Sequence, residues 1–193
     1  MTSTRTREDV LLDAARDLVM AVGVRRTTAA DVARKAGVSR MTLYRSFPDV
    51  SALLSALMAR EFGALVDAAY AEVAGLPTAR ERLVEGTVRG VEHLTSNPLY
   101  ERVLLVDPEL LLTYVTDRLG ETQRQAMGFF STLLEEGSRD GSIRPLDASA
   151  AAYCLQMVAQ SFALSSRVAE SEGLGAEPLA ELRELLDGYL RPR

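Results

Sequence analysis

Of the 193 residues, one is cysteine, one is histidine and none is tryptophan. A single thiol, Cys154, excludes an intramolecular disulfide and a thiolate metal cluster. Its apolar surroundings predict a buried small hydrophobe. The lone histidine, His93, leaves no metal-binding pair and makes a Ser/His/Asp arrangement a poor basis for catalysis. Counted along its helix it falls with Arg82, Arg89 and Ser96, off the apolar stripe, and is expected to be exposed. Neither G-x-x-x-x-G-K nor G-x-G-x-x-G occurs to cradle nucleotide phosphates. The carboxylates fall on polar helix faces, where solvation is the default. No catalytic residue, metal or cofactor is therefore assigned, and the expectation is a protein that is not an enzyme. Strand patterns, repeats and low-complexity tracts are also missing. The opening M-T-S-T-R-T-R-E-D has no apolar signal core, so the chain is expected to be cytoplasmic.

What is present is apolar helix and unevenly placed charge. Hydrophobic residues make up 47% and charged residues 25%, as in soluble globular proteins. The net charge of −5 argues by itself against a nucleic-acid partner. The distribution of that charge points the other way. Residues 1–60 hold ten Arg and Lys against six Asp and Glu, while the remainder holds twelve against twenty-one. A basic N-terminal part on an acidic body is the footprint of a DNA-binding module with a separate helper domain.

Within the basic part, Thr28 to Phe47 reads as two short helices joined by a tight turn. Thr28 is placed to cap the first, which runs to Ala36, and Gly37 sits just past its end, where positive φ costs least. Ser39 caps the second. Val32, Ala36, Val38, Leu43 and Phe47 fall on one shared seam, with Ala33 small where the helices cross. That is the layout of a helix-turn-helix, whose second helix enters the DNA major groove. An ordinary αα-corner is the plainer reading, but Arg40, Thr42, Tyr44 and Arg45 on the outward face suit phosphates and bases.

The run T-T-A-A-D-V-A-R-K-A-G-V-S-R-M-T-L-Y-R-S-F-P-D closely resembles the DNA-binding segment of TetR-family transcriptional regulators, over roughly residues 6–60. The resemblance implies a dimer that places each helix-turn-helix in one major groove of a palindromic site, and release by a small molecule. Arg40 is then the candidate for a bidentate guanine contact, and Met41 for a thymine methyl or sugar. Thr28, Ser39, Thr42 and Tyr44 are candidates for phosphate, and Arg45 for either. Many relatives carry glycine where Met41 stands and lysine where Val50 stands. The first difference should alter base tolerance, and the second removes one ionic contact. A helical scaffold that binds ligand or protein without a DNA role is the alternative.

Along the chain, Thr6 caps a first helix that Gly23 ends, and Arg5 and Arg7 are read as solvated charges or a basic arm. Pro48-Asp49 starts a helix of about 25 residues, spanning nearly 40 Å. Further helices follow over Thr78–Ser96, Pro98–Val106, Pro108–Leu119, Glu121–Arg139, Asp147 to about Glu170, and Glu177–Tyr189. The class is all-α, with a helix-turn-helix domain at 1–50 and a helical ligand-binding and dimerisation domain at 51–193. The nineteen uncharged residues from Ala148 to Ser166 are long enough for a membrane span. Polar Ser149, Gln156, Gln160, Ser161, Ser165 and Ser166 around it favour a helix buried on two sides, against the core and a partner. No membrane contact is expected; the homodimer seam is placed at 148–166 and 177–189, the places of the family's last two long helices. An apolar small-molecule effector is expected among Phe62, Leu65, Tyr70, Met127, Phe130, Gln156 and Gln160, residue types that suit an apolar pocket with a few orienting groups.

Overall fold

Helix boundaries follow the capping residues closely. In a computed structural model, residues 6–109, 111 and 117–192 are described, and among them there are helices and connections but no strand. The helices are α1 (Arg7–Val22), α2 (Ala29–Lys35), α3 (Arg40–Ser46), α4 (Val50–Val73), α5 (Ala79–Thr95), α6 (Pro98–Val106), α7 (Glu121–Asp140), α8 (Ala148–Ser171) and α9 (Glu177–Leu190). Thr6 and Thr78 each close a capping box, with Asp9 and Glu81 respectively. Asp49 Oδ1 accepts the Ala52 N–H at 2.7 Å to start α4, and Asn97 caps α6 with proline in its first turn. These side chains occupy amides that would otherwise have no partner, typically worth about 1 kcal/mol each. Half of the expected Pro108–Leu119 helix, and Arg5, fall outside the described residues.

The chain packs as two units, Met1–Glu61 with Asn97–Leu119, and Phe62–Ser96 with Gly120–Arg193. Where the sequence pattern divides the chain at residue 50, the packing divides it inside α4. It also places α6 with the N-terminal helices.

In the first unit α1 packs on α2 and α6, and α2 packs on α3. Leu11, Ala15, Val19, Val32, Leu43, Leu53, Leu57 and Leu99 are fully buried there. Ion pairs surround this core: Arg16 with Glu61, Lys35 with Asp17, and Arg60 with Asp13 and Glu61.

In the second unit α5 packs against α7, α8 and α9 through Leu83, Val84, Val88 and Val91. The Tyr70 ring stacks on Phe129 at 4.6 Å and meets Phe130 edge-on at 6.5 Å. Its hydroxyl lies 3.4 Å from the Thr87 hydroxyl, and the ring rests against Gly86, where an added Cβ would come within 2.5 Å.

Two expectations change. Cys154 is exposed, because α8 turns Ala151, Ala152, Leu155 and Ala163 inward and leaves Tyr153 and Cys154 on the opposite side. The uncharged run is covered on one side within this chain, as expected of a helix that packs on its own core with one face. His93 is half-buried: the polar side of α5 meets Glu72, whose Oε1 lies 3.3 Å from His93 Nε2. No helix among the described residues is long and apolar enough to cross a membrane.

Burial raises the Tyr70 hydroxyl well above its ordinary range and pushes Tyr100 up to about 12. The folded chain therefore keeps protons that the unfolded chain releases near pH 10. Stability should be level below that pH and fall as it rises toward 12, by about 1.4 kcal/mol per pH unit for each tyrosine. Denaturation curves at pH 9 and 11.5 should show the loss, and Tyr70→Phe with Tyr100→Phe should remove much of it.

Candidate nucleic-acid interface

The helix-turn-helix is held by its seam and by its turn. Val32 and Leu43 are fully buried, Ala33 and Phe47 nearly so, while Ala36 and Val38 are partly covered. At Gly37, φ is +68°, and the Val38 N–H donates back to the Ala33 carbonyl at 2.9 Å, closing α2 with a left-handed residue. Ser39 Oγ then accepts the Thr42 N–H at 3.1 Å and begins α3. With Leu43 committed to the core, α3 turns Arg40, Met41, Tyr44 and Arg45 outward. Met41 is 72% and Tyr44 46% exposed, so the tyrosine ring is half packed with its edge at the rim.

Charge pairing sorts the basic residues. Arg16, Arg25, Arg34, Lys35 and Arg60 each face an acidic partner. Among the described residues of this unit, Arg7, Arg26, Arg40 and Arg45 have none within ion-pair distance; of these, Arg40 and Arg45 share the outward face of α3, and Arg40 is near enough to Asp31 to help lower its carboxyl. A guanidinium without a carboxylate partner is available to phosphate or to a guanine edge without first breaking a bond.

The hydroxyls are less free. Thr28 Oγ1 accepts the Asp31 N–H at 3.2 Å and donates to Asp31 Oδ2 at 2.6 Å. That bond, with the Arg34 guanidinium, holds the Asp31 carboxyl below its ordinary range. A phosphate can only accept, so Thr28 must give up Asp31 to reach one. Ser39 and Thr42 share a bond of 2.9 Å, which uses one of their two hydroxyl protons and leaves the other available. No group of three or more His, Cys, Asp or Glu that could hold a metal is found among the described residues.

Comparison with known proteins agrees with this geometry. The profile described as "Bacterial regulatory proteins, tetR family" matches residues 11–57. An uncharacterized HTH-type transcriptional regulator of Mycobacterium bovis is 33% identical over 180 residues, 93% of this chain and 92% of its own. The chain belongs to the TetR family. It is a DNA-binding transcriptional regulator. A TetR-family regulator from Pectobacterium atrosepticum shares the fold with a TM-score of 0.74 at 23% identity, over 96% of this chain and 95% of that one. So does FadR from Bacillus subtilis, solved in complex with stearoyl-CoA, with a TM-score of 0.67 at 18% identity over 94% and 98%.

The other residues selected from the sequence lie in this TetR-family chain's second unit. Phe62, Tyr70 and Phe130 are buried, and Leu65, Met127 and Gln160 are partly covered. Tyr70 and Phe130 meet directly; Gln160 meets Gln123, a residue that no sequence pattern singled out. Gln156 is buried, at 7% exposure. Asp107 was also passed over. Its signal is V-D-P, one acid between apolar runs, and it proves to be buried against the α1–α2 turn.

Removing the α3 cap with Ser39→Ala should lower stability by about 1 kcal/mol. Gly37→Ala should cost about 1–2 kcal/mol, from the left-handed backbone it must adopt. Urea midpoints should fall with the slope of the transition unchanged.

Proposed function

We propose that this regulator is a repressor that binds a palindromic operator as a homodimer and is released by an apolar small molecule. The observation that carries the reading is the outward face of α3, where Arg40 and Arg45 stand outside ion-pair distance of any carboxylate among the described residues, beside Tyr44 and the Ser39–Thr42 pair. Arg40 reads a guanine by its two parallel N–H donors, and Met41 covers a thymine methyl or sugar. Thr28, Ser39, Thr42 and Tyr44 hold phosphates, and Arg45 serves either purpose.

Dimerisation runs through 148–166 and 177–189. Supporting it, Tyr153, Leu185 and Tyr189 are large apolar side chains left exposed on α8 and α9. Covering such side chains favours association by about 25 cal/mol per Å2 of apolar surface.

The effector site is proposed at Phe62, Leu65, Tyr70, Met127, Phe130, Gln156 and Gln160. An amide side chain offers both a donor and an acceptor in an otherwise apolar lining, so Gln156 and Gln160 favour a guest with a polar group on an apolar body. Stearoyl-CoA in the Bacillus subtilis FadR supports an apolar guest by analogy of fold. Release requires the guest to bind better to a conformation that fits the operator less well. The setting is the cytoplasm, and no enzymatic step is assigned.

Gel shifts with a duplex selected from a random pool test the DNA reading. Arg40→Ala should cost about 1–3 kcal/mol on the selected site and relax preference at one base pair, whereas Tyr44→Phe should weaken all sequences alike. The logarithm of affinity should fall with that of salt at roughly −0.9 per phosphate neutralised. Equal loss by Arg40→Ala on selected and random DNA removes it as a base reader.

The seam is tested separately. Tyr153 is exposed on the side of α8 assigned to the seam, and Tyr153→Glu would bury an unpaired carboxylate there and cost about 3–5 kcal/mol of association. Sedimentation should show a dimer for the parent and monomer or unfolded chain for the variant. A parent that stays monomeric at micromolar concentration contradicts the seam.

A further inference from the structure

Asp107 is the only charged residue buried among the described residues, at 2% exposure. It follows the last residue of α6, and its Oδ2 accepts the Val24 N–H at 2.7 Å, across 83 positions of sequence. Val24 belongs to the turn between α1 and α2. Its carbonyl in turn accepts the Thr27 N–H at 3.1 Å, and the Thr27 hydroxyl donates to the Gly23 carbonyl at 2.8 Å. The end of α6 also sits close against Gly23, whose φ is +88°. A Cβ there would lie 2.9 Å from Val106 Cγ1 and 3.0 Å from Asp107 Oδ2. Arg25 completes the contact, pairing with Glu109 and standing 3.8 Å from Asp107 Oδ1.

We propose that Asp107 is a positioning residue for DNA recognition: it fixes the α1–α2 turn and thereby the approach of the helix-turn-helix to its bases. A buried carboxylate is expensive, and an apolar residue would fill this place at lower cost. What the carboxylate adds is a directional bond to one backbone amide. The turn it grips leads directly into Thr28, the cap of α2, and α3 packs on α2. A small rotation at Val24 is carried to the guanidinium of Arg40, whose two parallel bonds tolerate little displacement. Attraction to phosphate, which depends on charge and distance more than on angle, tolerates it well.

The inference rests on the operator reading, and its test separates the two. Affinity of the full-length protein is measured for the selected duplex and for random DNA, and their ratio is compared between variants. A parent without preference for the selected duplex sinks the operator reading. Amide hydrogen exchange over residues 39–45 without DNA then decides the present one, and protection unchanged in Asp107→Ala overturns it. With preference established, Asp107→Ala should reduce the ratio about tenfold, comparable to the loss of one base contact, while random-DNA affinity holds. Asp107→Asn keeps an acceptor for the Val24 N–H and should restore the ratio to within about threefold. A ratio unchanged in Asp107→Ala overturns the proposal. So does an equal fall on both DNAs, which would mean only that fewer molecules are folded. If Asp107→Ala does not fold, Asp107→Glu takes its place, since the extra methylene should push the turn away and lower the ratio; an unchanged ratio there overturns the proposal too.

Discussion

Burial of Val32 and Leu43 in the seam between α2 and α3 is the constraint on which the DNA-facing chemistry depends. Each helix has seven residues, too short to persist alone in water. Their stability comes from the shared apolar contact, from the caps at Thr28 and Ser39, and from the left-handed turn at Gly37. Once Leu43 points inward, the helical period leaves no freedom over which residues point outward. Arg40, Met41, Tyr44 and Arg45 are displayed because Leu43 is hidden.

Electrostatics then separates residues that build the unit from residues that meet a ligand. Most of the basic side chains around α1, α2 and the start of α4 are spent on carboxylates of the same unit. Exposed pairs of this kind add little stability, about 0–1 kcal/mol each, but they neutralise the surface where they occur. The outward side of α3 is left as a place where unpaired guanidinium groups stand together. A net charge of −5 is therefore no obstacle to DNA binding. Charges farther than a Debye length of about 8 Å from α3 are largely screened, and the local field governs.

Much of the fold was legible because helix ends in this chain are marked chemically. Thr6, Thr28 and Ser39 act as the caps that local pattern assigned, and Thr78, Asn97 and Asp147 cap helices whose starts were read within a residue of them. The outward face of α3 was legible for the same reason, since short helices with one apolar seam have one solvent side. Long-range contacts were not. Nothing local in the sequence tells that Asp107 reaches Val24, that His93 meets Glu72, or that α6 packs with α1. The exposure of Cys154 was missed because an uncharged helix does not disclose which side its own chain covers. The hydroxyls illustrate a subtler limit: Thr28 was rightly placed at a cap, but its proton is already engaged by Asp31.

The central claim is that α3, presented by the Val32–Leu43 seam, is the surface that reads DNA. Backbone amide spectra recorded while a selected duplex is added to the labelled protein test it most directly. The largest changes should fall on residues 39–45, with smaller ones at Thr28 and through the α1–α2 turn, and random duplex should perturb the same region less. Changes concentrated on α8 and α9, or no difference between selected and random duplex along α3, would contradict the account.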